Sequence, residues 1–388
     1  MDNQLELQSL YDAYNEQLLH LPDNTIIYKN ISEFIEDDKQ SAEFINKVVF
    51  NDKSMYLTNV VAQGRARHSV ISYFLGLVIG DFCGLLGNCS NIFNCNNLGY
   101  LQINEPYINY RLWLITSTNH DYGYFSQYVK TGYDLEKVKY NLLSDNDYGL
   151  SILTNVSRKY PKIFKNTYEN INDYYLYSQY LHKNDEFEKC DHGILGGVLL
   201  FNKMFPKIKG KIVNKESVNF SLSYMNRAYI DSDVLFYKAA CLTICQHNIF
   251  KSDGKIETEN NYKKYHLEHL LKQSGYSVGL DTPLLALLSL VDTIECIKSF
   301  SKKDGKKTGL RTKTILKNIK IGVTKDEILL DYTDLYTYIT RDKDRKSVLD
   351  ECIGKIESLP TWTDFKVKHI NNDLYRFSIS YNKKQINL

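Results

Sequence analysis

Six residues of this chain are of types that bind cations and stand where such types are out of place: His68, His120, Asp121, His192, His247 and Asp292. A neutral imidazole and a carboxylate each offer a lone pair to a divalent ion, and His120-Asp121 offers both side by side. This pair follows the apolar run Leu112–Ile115 and precedes Gly123, which lets backbone or solvent come close. A His-Asp pair alone is common on solvated surfaces, and its weight comes from the other four residues. Asp292 carries most of that weight. It lies within the apolar stretch that begins Pro283-Leu-Leu-Ala-Leu-Leu-Ser-Leu-Val. A carboxylate buried there without a partner costs several kcal/mol, so it is strange as a core residue and sensible as a metal ligand.

The elements that must position these residues read mostly as helices. His68 falls in the first turns of a strongly apolar helix beginning at Arg65. Leu112–Thr116 resumes an apolar helix leading into His120. His192 precedes Gly193-Ile-Leu-Gly196-Gly197-Val-Leu-Leu, whose glycines permit close helix–helix approach, and Tyr237–Phe250 reads as a buried helix with His247 near its C-terminal end. Glu295 and Lys298, three and six positions beyond Asp292, read as a salt-bridged helix face. His20 stands alone and reads as structural, while His266 and His269 fall on a charged, exposed segment. Residues 87–104 are rich in Asn, Cys and Gly and read as a loop, and 130–183 is polar and rich in tyrosine.

Past residue 315 the periodicity changes from helix to strand. Ile319–Val323 and Glu327–Tyr332 flank a turn at Thr324–Asp326, Lys346–Ile356 is an amphipathic helix, and two further strands pair across Asn371–Asp373. The expected organisation is a helical lead-in over 1–60, a helical domain over 61–300, a basic linker over 301–315 and a small ββαββ unit over 316–388.

Composition sets limits on this reading. Of 388 residues, 43% are hydrophobic and 24% charged, the balance of a soluble globular chain. A net charge of +2 gives no global argument for nucleic acid. The N-terminus lacks the basic and apolar regions of a signal peptide. Only Val70–Leu86 approaches membrane length; Asp81 interrupts it and it falls short of about 20 clean apolar residues, so a buried core helix is expected. The eight cysteines show no C-x-x-C pair. Cys241, Cys245 and Cys296 read as small core residues, and the gaps between Cys83, Cys89 and Cys95 fit no common structural zinc site. A reducing, cytoplasmic setting follows. The spacing of a phosphate-binding P-loop is absent from the basic stretch near Lys302–Lys307.

Taken in order, H…HD…H…H…D over roughly residues 60–300, the set resembles the HD-domain superfamily of metal-dependent phosphohydrolases. The resemblance implies a mainly α fold, an HD-type helical bundle here followed by the α+β appendage. It implies one or two divalent ions, with Mn, Mg, Fe, Ni and Zn undistinguished. His68, His120, Asp121 and Asp292 would form the first site, and Asp121 would bridge to a second ion held by His192 and His247. His120 and Asp121 are the expected catalytic core, since a bound ion lowers the pKa of its water toward neutrality for attack on phosphorus. Arg65, Arg67, Arg111 and Lys238 are candidates to clamp phosphate, and Asp191 and Asn248 flank ligands and could orient them. One position departs from the common pattern: Tyr124 stands where many members carry the Lys of HD-x-G-Lys, and Tyr cannot supply that charge.

The implied activity is hydrolysis of a nucleotide or cyclic (oligo)nucleotide phosphoester. Three alternatives share the framework: a nuclease on single-stranded nucleic acid, a di-iron oxygenase, and a non-catalytic nucleotide-binding regulator. The expected partner is a nucleotide-type phosphorylated substrate, with nucleic acid and a homo-oligomer left open and no membrane association.

Overall fold

The computed structural model describes residues 65–82, 108–124, 283–301 and 331–380 almost throughout, and individual positions within 86, 192–200, 240–248, 260–279 and 308–330. The lead-in 1–60, the cysteines at 83, 89 and 95, the loop 87–104, the tyrosine-rich 130–183, His266, His269 and most of the basic stretch 301–315 lie outside the described residues.

The described part is mainly helical with one small antiparallel sheet. Its helices are α1 (Arg65–Phe82), α2 (Ile108–Asn119), α3 (Pro283–Ile294) and α4 (Ile297–Ser301). Then come β1 (Lys320–Val323), β2 (Glu327–Asp331), α5 (Thr333–Ile339), α6 (Lys343–Trp362), β3 (Lys366–His369) and β4 (Arg376–Ser380).

The core gathers around α3. All of its residues are buried, Asp292 included, as expected of a helix that is apolar on every side. Both α1 and α2 pack on α3 and on each other. Trp113 of α2 is fully buried and its indole N–H donates to the Tyr73 carbonyl of α1 at 2.9 Å, so the largest core side chain leaves no polar group stranded. The buried-helix expectation for the stretch after Val70 holds, with Tyr73, Phe74, Leu77 and Ile79 all enclosed. Among the described residues no helix is long and apolar enough to cross a membrane. Cys241, Cys245 and Cys296 are buried free thiols, in line with the core role expected of them.

The sheet runs β1-β2-β4-β3, every pairing antiparallel. Alternate residues Ile328 and Leu330 on β2, and Phe377 and Ile379 on β4, are buried, which fixes the register: a slip by one position would expose all four. The β3–β4 hairpin closes at Asn371 and Asn372, whose φ angles of 54° and 58° place both in the left-handed region that Asn tolerates. Two details differ from the expected ββαββ unit. Thr333–Ile339 is helical, because Leu335 and Ile339, four apart, share a buried face. The following helix extends over Lys343–Trp362 rather than Lys346–Ile356, with Asp342 capping its first turn through Arg345 N at 3.1 Å.

This unit is joined to the helical part. Helix α6 packs on α3 and α4. The buried Tyr332 hydroxyl donates to the Ile294 carbonyl at the end of α3, at 2.8 Å. Val278 bridges Thr363, and the Arg345 guanidinium donates to the Thr308 carbonyl at 2.6 Å.

Candidate metal centre

The end of α2 explains how a polar run can be buried. Ser117, Thr118 and Asn119 each turn a side chain back onto the carbonyl four residues earlier, at 2.7, 2.6 and 2.8 Å. Three donor groups are thus satisfied within their own helix and the chain can carry His120 and Asp121 into the interior, 0% and 1% exposed. Beyond them a tight turn, with Tyr124 N donating to the Asp121 carbonyl at 3.0 Å, presents Gly123 to a neighbouring backbone. A Cβ at Gly123 would collide with the His192 carbonyl, and one at Gly193 would lie 2.7 Å from the Ile244 carbonyl and 2.8 Å from His247 Nδ1. The glycines therefore let the segments carrying Asp121, His192 and His247 meet at backbone contact.

Two trios result, His68 with His120 and Asp292, and Asp121 with His192 and His247, all buried, the ligand atoms of each trio within 4.8 Å of one another. In the first, His68 Nε2 lies 2.9 Å from His120 Nε2 and 3.1 Å from Asp292 Oδ1, and His120 Nε2 lies 3.4 Å from that same oxygen. Asp121 joins the trios. Its Oδ2 is 3.6 Å from His68 Nε2, and its Oδ1 is 3.6 Å from His120 Nε2 and 3.5 Å from His192 Nε2. All six residues singled out in the sequence are brought together.

Protons make the case for a cation. His120 Nδ1 lies 2.6 Å from the Ser117 carbonyl and His247 Nδ1 lies 2.7 Å from the Ile244 carbonyl. A carbonyl only accepts, so each Nδ1 must carry the proton, and in a neutral ring Nε2 is left as a lone pair. His68 Nδ1 is held by the Glu295 carboxylate, with the same consequence. Two imidazole lone pairs and a carboxylate oxygen then point at one another in the first trio, an arrangement that repels itself unless a positive charge enters. Without an ion, the Lys298 ammonium supplies that charge at Asp292, and a raised His68 pKa favours a proton between the facing imidazoles. Burial is the largest influence on that pKa and lowers it, and the Lys298 charge lowers it too; the Glu295 charge and hydrogen bonds to Asp292 and Glu295 outweigh both and hold it above the ordinary imidazole value. With an ion, the three acceptors become ligands, and the donor set of imidazole and carboxylate fits a divalent transition ion.

Glu295 and Lys298, expected on a salt-bridged helix face, do form ion pairs, but with the residues of the trio: Glu295 is 4% exposed, one oxygen holding His68 and the other accepting from Ile297 N at 2.5 Å. The three-residue spacing from Asp292 was the available signal, since it places a second carboxylate on the same face of an apolar helix. Lys298 is likewise turned inward and donates to Asp292 Oδ1.

The other candidates are placed unequally. The Asn248 amide nitrogen lies 2.8 Å from His192 Nε2, and the Tyr124 ring stacks on His192 with centroids 3.8 Å apart, so both contact the second trio. Arg65, Arg67 and Arg111 are on helical backbone, but their side chains, like the whole of Asp191 and Lys238, lie outside the described residues. Compared with protein-family models, with curated proteins and with solved structures, the chain matches none.

Proposed function

We propose that this chain is a metal-dependent phosphohydrolase of the HD type, acting on a nucleotide or cyclic (oligo)nucleotide phosphoester. One observation carries the reading: six buried imidazoles and carboxylates from five segments form two adjacent trios joined by Asp121, with the Nε2 atoms of His68, His120 and His247 made acceptors by the groups behind them. Such a pair of sites suits phosphoester hydrolysis, for which divalent ions supply an activated water and neutralise phosphoryl oxygens. The chain's own residues do the rest. Ser117, Ile244 and Glu295 keep the ring protons on the far nitrogens, Asp121 spans both trios, and the apolar packing of α1, α2 and α3 keeps bulk water from the first trio.

The test is a panel of linear nucleotides, cyclic nucleotides and single-stranded DNA and RNA assayed with manganese, alongside metal analysis of the purified protein. Release of phosphate or of a phosphomonoester is expected. Bound iron with oxygen consumption would replace this reading with an oxygenase. Silence across the panel with no bound metal would replace it with a binding protein.

A further inference from the structure

Lys298 belongs to the same cluster, yet none of the roles above uses it. In an unbroken helix a residue six positions past Asp292 would sit about 9 Å along the axis and about 120° round from it. Here α3 ends at Ile294 and α4 begins at Ile297, and the interruption turns Lys298 back onto Asp292. Its side chain is 13% exposed and its Nζ donates to Asp292 Oδ1, the same oxygen that faces His68 Nε2 and His120 Nε2. An ammonium thus occupies the carboxylate oxygen that a divalent ion in this trio would take. Two cations a few ångströms apart repel strongly in so enclosed a place. A partly buried ammonium that gives up its carboxylate needs another anion in exchange. A phosphoryl group arriving at the ion brings one.

We propose that Lys298 is an anion-binding residue of this centre: it neutralises Asp292 while the trio is bare and holds a phosphate oxygen once a divalent ion has taken Asp292. The proposal rests on the metal-dependent phosphoester reading above. It makes ion and phosphate mutually dependent, each strengthening the binding of the other.

Calorimetric titration of the full chain with Mn²⁺, with and without inorganic phosphate, tests it in the wild type, Lys298→Met and Lys298→Arg. Phosphate in direct contact with the ion adds affinity in every variant, so the comparison between variants is what counts. Without phosphate, Lys298→Met is expected to bind the first Mn²⁺ about tenfold tighter than the wild type, because the tethered competitor is gone. The gain in Mn²⁺ affinity that phosphate brings is expected to fall by about tenfold in Lys298→Met and to be kept in Lys298→Arg. Should Lys298→Met misfold, Lys298→Gln carries the same expectations. Wild-type Mn²⁺ affinity in the neutral variants, or an undiminished phosphate gain, overturns the proposal and leaves the metal centre standing. A wild type that binds no Mn²⁺ removes both.

Discussion

The two trios are built from the same kinds of residue but are held differently. In the first, two ligand atoms are fixed from behind: His68 by Glu295 and His120 by the Ser117 carbonyl. In the second, His247 is fixed in that way by the Ile244 carbonyl, but His192 has the Asn248 amide against Nε2, the atom that would bind an ion, and a tyrosine ring over its face. A carboxylate behind a ligating histidine sets its tautomer and raises its basicity, whereas an amide hydrogen on the ligating nitrogen must be displaced before an ion can enter. The difference implies two unequal sites: in the first an ammonium lies against the carboxylate, in the second an amide lies against a histidine nitrogen.

The largest effect should come from the residue the trios share. Asp121→Ala is expected to lower phosphoester hydrolysis by at least about a hundredfold and to reduce the content of both ions, with far-UV circular dichroism unchanged. His120→Ala should cost a similar factor while removing chiefly the first ion. Full wild-type turnover in both variants would mean that the site is misassigned.

Next in size are variants that act on one trio. Glu295→Gln keeps an acceptor for His68 Nδ1 but removes the charge, and should weaken the first ion by about tenfold while leaving the second unchanged. Asn248→Ala should shift binding at the second trio alone, toward tighter binding. Equal shifts at both trios in either variant would erase the distinction between them. Acid sharpens it. Because the His68 pKa in the bare protein lies above the ordinary imidazole value, a proton competes with the first ion across and somewhat above that range. Uptake of the first ion is therefore expected to weaken as pH falls. Glu295→Gln removes one of the influences that raise this pKa, so the inflection should move to lower pH. Cobalt titrations followed by absorbance at several pH values would read both.

How much of this was legible in the chain depends on what each element needs to form. Helix α3 and the alternating strands β2 and β4 could be read directly, because burial on all sides and burial on one face leave different periods. The six clustered residues were legible for a related reason: a carboxylate in an apolar helix needs positive charge beside it, and Asp292 meets both Lys298 and the histidines of its trio. Three features escaped. The inward turn of Lys298 depends on an interruption at Glu295–Cys296 that no Pro or Gly announces. The buried place of Glu295 was hidden by that same lysine, since the two together mimic an exposed ion pair. Helix α5 was missed because its Thr and Tyr residues favour strands, and tertiary burial of Leu335 and Ile339 overrode that preference.

The smallest effect expected is at the seam between the helical part and the sheet unit. The interruption after Ile294 leaves its carbonyl in the interior, and the hydroxyl of the fully buried Tyr332 donates to it. Burial also pushes the Tyr332 pKa well above its usual value, so the hydroxyl keeps its proton and remains a donor across the accessible pH range. Tyr332→Phe removes that donor without opening a large cavity and should cost about 1–2 kcal/mol in chemical denaturation, the penalty of a buried carbonyl left unpaired. Ile294 lies two residues after Asp292 and directly before Glu295, so any loosening there reaches the first trio before the second. The first ion should weaken slightly, by less than in Glu295→Gln, and the second not at all. Unchanged stability would show that the seam does not hold α3 in place. A loss confined to the second ion would reverse the order of the two trios in their dependence on the sheet unit.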